Sequence, residues 1–136
     1  MVVFLQETMS SREAACDFFL KLHPGWFVSA IDACGNYKGT LVGWNPVMAD
    51  IWPFITCVVL LLKGRLKGLD SQVHLLNVYD PYSQRISFWD CVKAGGILTP
   101  PKLILVGDLN FTWSAEEVWG PGWSIDPLSD YFHAIF

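Results

Sequence analysis

Three short apolar runs in this sequence end abruptly in polar residues, and this pattern strongly limits how the chain can fold. Apolar runs of about four to eight residues are typical of buried strands rather than of helices. Strands that end in this way deliver side-chain oxygens to one edge of a sheet. The runs are residues 2–5, which precede Glu7; residues 72–79, which end with Asn77 and Tyr79; and residues 102–106, which precede Asp108 and Asn110.

The longest charge-free stretch in the middle of the chain raises the question of a membrane span. It covers residues 51–62, between Asp50 and Lys63, in a chain that is 52% hydrophobic. A spanning helix needs about 20 apolar residues, so this stretch is too short. We expect it to lie inside the protein, mostly as a strand over residues 54–63 that pairs with residues 72–79. We therefore expect no membrane partner.

Composition narrows the class of protein further. Aromatic residues make up 15% of the chain, which supplies ample apolar surface for a core and excludes intrinsic disorder. The net charge of −4 argues against a protein that holds nucleic acid mainly through its phosphates. A basic cluster occurs only at Lys63, Arg65 and Lys67, where it is most simply a solvated loop tip.

The four cysteines are too far apart for a zinc site of the CxxC kind, since they stand at positions 16, 34, 57 and 91. Residues 1–6 carry no positive side chain, so they do not form the charged start of a secretory leader. We expect free thiols in a nuclear or cytoplasmic protein that is not secreted.

Helix and turn signals place the remaining elements between the apolar runs. A serine cap, acidic first turns and a proline at the first helical position are typical helix starts. The predicted elements are a helix capped by Ser10 or Ser11 and ended by Pro24, a hairpin of residues 26–31 and 40–44, a hairpin loop at 64–70, a helix over 83–93, and a helix that opens at Asp126 and Pro127.

The polar clusters after the apolar runs are candidates for metal-assisted chemistry. Carboxylate and amide oxygens at strand ends can hold Mg²⁺, and phosphodiester hydrolysis needs a metal and an oriented water. Each cluster also has an ordinary structural explanation. A Glu after a strand can be a solvated turn, Asp-x-Asn an Asx-turn, and Asn-x-Tyr a packing motif with one hydrogen bond.

The order and context of these clusters resemble the endonuclease/exonuclease/phosphatase superfamily, which has the deoxyribonuclease I-like fold. Within it, the sequence looks most like the endonuclease domains of plant LINE-type retroelements. The resemblance implies an α+β fold, part of a four-layer αββα sandwich with mainly antiparallel or mixed sheets and flanking helices. The segments that carry it are residues 4–8 (FLQET), 39–46 (GTLVGWNP), 77–81 (NVYDP), 107–111 (GDLNF), 117–120 (EVWG) and 126–130 (DPLSD).

The resemblance also implies a role for each site residue. Glu7 would be a ligand of Mg²⁺ or Mn²⁺, and Asp108 would orient or deprotonate the attacking water. Tyr79 and Asn110 would contact the phosphate, and Asn77 would support the site. Asp80 departs from the family pattern, which more often has Gly there, and a carboxylate at this position would repel phosphate unless it faces away.

Two further features of the family have no counterpart in these 136 residues. The family begins with a strand that ends in a metal-site Asn, and it ends with a Ser-Asp-His motif. None of His23, His74 and His133 follows Ser-Asp. We therefore expect residues 1–136 to be a single, incomplete domain, truncated at both ends.

Several functions remain open from the sequence. The first is a fragment of a Mg²⁺-dependent endonuclease or phosphodiesterase that is inactive alone, with DNA or another phosphodiester as the partner of a complete site. The second is a non-catalytic, domesticated interaction module. Another is an active nuclease or phosphatase completed by missing segments, and the least favoured is a small membrane-associated protein.

Overall fold

The computed structural model describes residues 1–34, 37–56, 59–120 and 126–135. Within these ranges, seven strands and three α-helices follow one another in a mixed order, with a short 3-10 helix at Ala115–Glu117. The elements are β1 (Val2–Gln6), α1 (Arg12–Leu22), β2 (Phe27–Cys34), β3 (Tyr37–Trp44), β4 (Ala49–Ile55), β5 (Leu60–Leu66), β6 (Val73–Tyr79), α2 (Arg85–Ala94), β7 (Leu103–Asp108) and α3 (Pro127–His133).

The strands form two sheets. The first has the order β1-β3-β2 and is antiparallel throughout. The second has the order β4-β5-β6-β7, and in it only β6 and β7 run parallel. The predicted mainly antiparallel or mixed sheets are therefore confirmed.

The two sheets pack face to face, and helices cover their outer faces. Residues such as Val42 and Trp44 of the first sheet pack against Leu60, Leu62 and Leu75 of the second. Burial of these side chains supplies the main apolar driving force for the sandwich.

Outside the first sheet, Phe19 of α1 packs on Ala30 and Leu41. Outside the second sheet, the large rings of Trp89 and Phe132 pack with Leu76 and Val78. The order of layers is thus helix, sheet, sheet, helix, and the expected α+β fold class is confirmed.

Local sequence signals explain the starts of two helices. The Ser11 hydroxyl accepts a hydrogen bond from the Ala14 N–H at 3.3 Å and caps α1. The Asp126 carboxylate accepts one from the Leu128 N–H at 2.9 Å, and Pro127 occupies the first turn of α3. Both starts agree with the sequence prediction.

The prediction of one strand over residues 54–63 is wrong. The chain instead folds back on itself, so that β4 ends at Ile55 and β5 begins at Leu60. The Thr56 N–H and hydroxyl both donate to the Val59 carbonyl, at 3.0 and 3.1 Å, and close this turn. Of the predicted pairing with residues 72–79, the part that forms is between β5 and β6.

The expectation that all of residues 51–62 lies inside the protein is also only partly correct. Leu60 and Leu62 are buried, but β4 is an edge strand whose Trp52 and Phe54 are 58% and 55% exposed. The charge-free stretch contains parts of two strands that differ in burial. Its length therefore did not indicate which of its residues are buried. Among the described residues, no helix is long and apolar enough to cross a membrane.

Two predicted turns are shorter in the structure because their flanking strands are longer. In the first hairpin, β2 continues to Cys34 and β3 begins at Tyr37, so both ends of the predicted turn at residues 34–39 belong to strands, and the rest of that prediction lies outside the described residues. In the second, Gly64 and Arg65 belong to β5. Gly64 is required there because a Cβ would overlap the Asp50 carbonyl of β4.

Candidate functional site

The carboxyl ends of β1, β6 and β7 meet at one end of the sandwich. Tyr79 and Asp108 are register partners at the ends of the parallel strands β6 and β7. The Tyr79 hydroxyl donates a 2.5 Å hydrogen bond to Oε1 of Glu7, which directly follows β1. Tyr79 is therefore hydrogen-bonded to Glu7 through its side chain and paired with Asp108 through the backbone, and both acidic residues are exposed.

Tyr79 is the buried member of this group, with only 3% of its surface exposed. Its hydrogen bond to Glu7 raises the pKa of the phenol, and burial and the neighbouring Tyr82 act in the same direction. The phenol is therefore neutral at physiological pH and acts as a hydrogen-bond donor at this edge.

Asn77 lies two residues before Tyr79 on the same face of β6, but it points between the sheets rather than to their edge. It is fully buried. Its Oδ1 accepts a 2.6 Å hydrogen bond from Nε2 of Gln6, and its Nδ2 donates to the Leu41 carbonyl at 3.2 Å. Asn77 thus ties β6 to β1 and β3, which holds Glu7 and Tyr79 together.

Asp108 and Asn110 form a tight turn after β7. Oδ1 of Asp108 accepts a 2.9 Å hydrogen bond from the Asn110 N–H, which is the Asx-turn that the Asp-x-Asn pattern allows. Nδ2 of Asn110 donates to the Asp80 carbonyl at 2.8 Å. The Asn110 side chain is thereby anchored to the end of β6, beside Tyr79.

The backbone at this edge is strained. Glu7 and Asn110 have φ angles of 52° and 49°, in the left-handed region that non-glycine residues rarely adopt. Asn tolerates this region, but for Glu it costs about 1–2 kcal/mol. Gly107 has a φ of 143°, and a Cβ there would overlap the Val78 carbonyl, so only glycine fits before Asp108. Strain of this kind is concentrated at functional sites.

Arg85, in the first turn of α2, connects several segments of this region through ion pairs and a hydrogen bond. Its Nε forms a 2.8 Å ion pair with Asp80, and its Nη1 forms a 2.9 Å pair with Asp126. Its Nη2 donates to the Asn110 carbonyl at 2.6 Å. One guanidinium therefore connects the end of β6, the turn after β7 and the start of α3.

The Asp80 carboxylate faces away from the exposed edge. It is completely buried, so it does not oppose a phosphate bound beside Tyr79. Burial raises the pKa of this carboxyl, and Arg85 and the Trp89 indole counteract that rise. Oδ1 of Asp80 and Nε1 of Trp89 have no hydrogen-bond partner of good geometry among the described residues.

The oxygen donors at this edge fit Mg²⁺ or Mn²⁺ in chemical type but are few. Within the described ranges, no three His, Cys, Asp or Glu side chains form a group that could hold a metal ion. Mg²⁺ keeps several waters and often needs only one or two carboxylates from the protein. Glu7 and Asp108 supply two exposed carboxylates of that kind.

Each histidine lies away from this edge. His23 lies 4.8 Å, centroid to centroid, from both Phe19 and Trp26, and His133 lies 4.5 Å from Trp113. His74 is buried in β6, five residues before Tyr79 and opposite Lys63 of β5. The structure gives none of them a bond to Glu7, Tyr79, Asp108 or Asn110 in its described part.

Sequence reasoning missed three residues of this region, namely Gln6, Arg85 and Asp126. Gln6 was part of a recognised motif but had no assigned role. Arg85 had one available signal, because Asp80 is an acid that follows an apolar strand and needs a nearby cation when buried. Asp126 was predicted only as a helix cap, and the structure shows that it serves as both cap and ion-pair partner.

No protein-family model matches the chain, and no curated protein matches it. Solved structures do. The endonuclease domain of TRAS1, a telomere-specific non-LTR retrotransposon, superposes with a TM-score of 0.64 at 17% identity over 98% of this chain and 57% of that chain.

Two structures of D. rerio TDP2 also superpose. A humanized form gives a TM-score of 0.59 at 18% identity over 82% of this chain and 52% of that one. The complex with single strand DNA product gives 0.54 at 20% identity over 82% and 48%. This chain thus spans about half the length of each neighbour. The likeness shows the deoxyribonuclease I-like fold expected from the motifs.

Proposed function

We propose that residues 1–136 form part of a nuclease-type domain that acts on phosphodiesters of DNA or a similar substrate. The observation that carries this proposal is the hydrogen bond from Tyr79 to Glu7, together with the register that sets Tyr79 beside Asp108. These contacts join three polar residues from distant parts of the chain at one exposed edge. The fold of a retrotransposon endonuclease and of a TDP2 structure with single strand DNA product supports the same class.

In this proposal each residue performs one task. The Glu7 carboxylate holds Mg²⁺ or Mn²⁺, and Asp108 orients the attacking water and accepts its proton at the oxygen not used in the Asx-turn. Asn110 donates a hydrogen bond to the phosphate with its second Nδ2 proton. Tyr79 does the same once Glu7 has turned from the phenol to the metal, because a phenol has a single proton to donate. Asn77 fixes the position of Tyr79 through β6. When bound, Mg²⁺ would neutralise phosphate charge and lower the pKa of water.

We further propose that these 136 residues do not cleave DNA by themselves and belong to an incomplete domain. Phosphodiester cleavage needs hydrogen-bonding or positive groups around the phosphate. Here His23 and His133 pack against aromatic rings elsewhere, His74 is buried in β6, and the guanidinium of Arg85 forms ion pairs with Asp80 and Asp126. An origin in a plant LINE-type retroelement is part of the proposal and rests on the motifs. A nuclear or cytoplasmic location is supported by the free thiols of Cys16, Cys34 and Cys91.

Metal binding tests the site without depending on activity. Addition of Mn²⁺ to the isotope-labelled chain should broaden the NMR signals of Glu7, Asp108 and Asn110 before those of other residues. The variant Glu7→Gln/Asp108→Asn should lose this broadening, whereas Asp70→Asn, an exposed turn acid, should keep it. Equal broadening in both variants would exclude the proposed metal site.

A cleavage assay tests the proposed inactivity. The wild-type chain should convert supercoiled plasmid or abasic DNA with Mg²⁺ no faster than Glu7→Ala/Asp108→Ala does. Mg²⁺-dependent cleavage that disappears in this double variant would show that the chain is a complete enzyme, and that the inactivity proposal is wrong while the site assignment is right.

A non-catalytic interaction module is the second candidate. One oxygen of each exposed carboxylate already accepts a hydrogen bond within the protein, Oε1 of Glu7 from Tyr79 and Oδ1 of Asp108 from Asn110. This favours the non-catalytic candidate. Under this alternative, Mn²⁺ should broaden no signal at the edge, so the NMR experiment also separates the two candidates.

A further inference from the structure

The outer face of the second sheet carries exposed aromatic and basic side chains near its β4 edge. Trp52 and Phe54 of β4 are 58% and 55% exposed, and Lys63 and Arg65 of β5 are also exposed. Trp52 is the register partner of Lys63, and Asp50 is that of Arg65. Directly opposed strand residues, and residues two apart, lie on the same face. We call Trp52, Phe54, Lys63 and Arg65 the β4–β5 patch.

The positive charges of the patch are not neutralised by ion pairs in the described part of the protein. Among the described residues, Lys63 and Arg65 form no salt bridge, although Asp50 lies opposite Arg65. A third cation, Lys67, follows directly after β5. The patch is thus locally basic on a chain whose net charge is −4, which gives it a sign opposite to that of the molecule as a whole.

In the part of the chain that the structure describes, no helix covers the β4–β5 patch. α2 and α3 pack on Leu76 and Val78 of β6 and on the neighbouring part of β7, which is the edge strand farthest from β4. The free edge of β4 contains Pro53, which has no N–H to donate and discourages an added strand. An occupant would therefore contact the face of the patch, through rings and cations, rather than extend the sheet.

We propose that the β4–β5 patch binds single-stranded nucleic acid. Exposed aromatic rings stack with unpaired bases, and adjacent cations hold the phosphates, in proteins that bind single strands. Trp52 and Phe54 are two residues apart, so their Cα atoms are about 6.8 Å apart, twice the rise between stacked bases. Such spacing suits splayed bases of a single strand and not a duplex.

An open groove extends the apolar surface beside the patch. It has a volume of about 500 Å³ and is lined by Trp52 and Asp50 of β4, by Phe27 and Trp44 of the first sheet, and by Trp26, which directly precedes β2. A flipped or unstacked base is small enough to enter it. The patch therefore offers two rings for stacking and a neighbouring cleft for an unpaired base.

The patch is separate from the edge that carries Glu7, Tyr79 and Asp108. Trp52 of β4 pairs with Lys63 of β5, which in turn pairs with His74 of β6, and His74 is five residues before Tyr79 along β6. That separation is about 17 Å along the strand. Binding at the patch does not depend on the proposed chemistry, so loss of one leaves the other intact.

Fluorescence anisotropy with a labelled oligo-dT of about 20 nucleotides tests this proposal. Trp52→Ala should weaken binding about tenfold, because one stacked base is lost. Lys63→Glu should weaken it similarly and should lower the slope of log affinity against log salt by about 0.7, because one phosphate contact is lost.

Matched controls use exposed residues away from the patch. Trp119→Ala, at a ring that is 97% exposed, and Lys21→Glu, on α1, should bind as the wild type does. Unchanged binding in Trp52→Ala and Lys63→Glu, or equal losses in the control variants, would overturn the proposal. So would tighter binding of the matching duplex, absence of binding at low salt, or a dimer in sedimentation that Trp52→Ala converts to monomer.

Discussion

The Tyr79 hydroxyl and Oε1 of Glu7 are joined by a 2.5 Å hydrogen bond across 72 positions of sequence. This bond links the second sheet to the end of β1 in the first. Because Tyr79 also pairs in register with Asp108, the end of β6 lies next to both exposed acidic residues of the candidate site.

Removal of this phenol hydroxyl should weaken the junction between the sheets. Tyr79→Phe should lower the free energy of unfolding by about 1 kcal/mol, a moderate loss because the exposed Glu7 can be hydrated instead. A double-mutant cycle with Glu7→Ala, which removes the acceptor oxygen, should give a coupling energy of similar size when measured by urea unfolding. Strictly additive losses would show that the two side chains do not interact in solution.

Relief of the strained backbone at Glu7 should stabilise the protein. Glu7→Gly should be more stable than Glu7→Ala by about 1 kcal/mol, since both lose the carboxylate but only glycine adopts the left-handed conformation freely. Glu13, in the first turn of α1, provides the control, where Glu13→Gly should be less stable than Glu13→Ala. The same order at both positions would contradict a left-handed Glu7.

Loss of the Arg85 guanidinium should leave Asp80 buried without its partner. Arg85→Gln should cost about 3 kcal/mol in unfolding free energy, whereas Arg65→Gln, at an exposed and unpaired arginine, should cost little. Restoration of part of the stability in Arg85→Gln/Asp80→Asn would identify the uncompensated carboxylate as the cause. A double variant no more stable than Arg85→Gln would count against this explanation.

The Arg85→Gln loss should also depend on pH. Burial already raises the pKa of Asp80, and without Arg85 it should rise further, because the lowering contribution is removed. A raised pKa in the folded state contributes stability below the ordinary carboxyl pKa that is lost as pH rises through the folded value. The deficit of the variant should therefore be smaller near pH 4 than at neutral pH, as measured by urea unfolding across that range.

Tyr131 should make the free energy of unfolding fall more steeply as pH rises in the alkaline range. Partial burial and its hydrogen bond to Asp90 raise the pKa of this phenol to about 12. The corresponding stability is complete below the ordinary value of about 10 and is lost as pH rises towards 12. Tyr131→Phe should reduce the slope of unfolding free energy over this interval, whereas Trp119→Phe, at a 97% exposed ring that does not titrate, should leave it unchanged. Equal slopes in all three proteins would contradict the raised pKa.

The local pattern of the chain was sufficient for many of the elements. Ser11 and Asp126 have short side chains that cap the helices beginning one residue later, and these contacts involve only neighbouring residues. The apolar runs that became β1, β6 and β7 were also predictable, because side-chain type and run length favour buried strands. Their polar ends identified Glu7, Tyr79, Asp108 and Asn110 as candidates.

The turn between β4 and β5 shows where the sequence pattern failed. Residues 51–62 read as one apolar segment, yet Leu62 is buried while Trp52 and Phe54 are exposed. Burial depends on which strand lies at the edge of the sheet, and that depends on pairing across the whole sheet. A local pattern of apolar residues contains no such information.

The sequence by itself determined which segments become strands and helices and which polar residues end them, because those preferences arise from contacts between near neighbours. Only the tertiary structure decided that Asn77 points between the sheets, that Asp80 turns inward to Arg85, and that Tyr79 meets Glu7. These arrangements join residues that are distant in sequence, or fix which way a side chain points, and they form only when both sheets and α2 pack together.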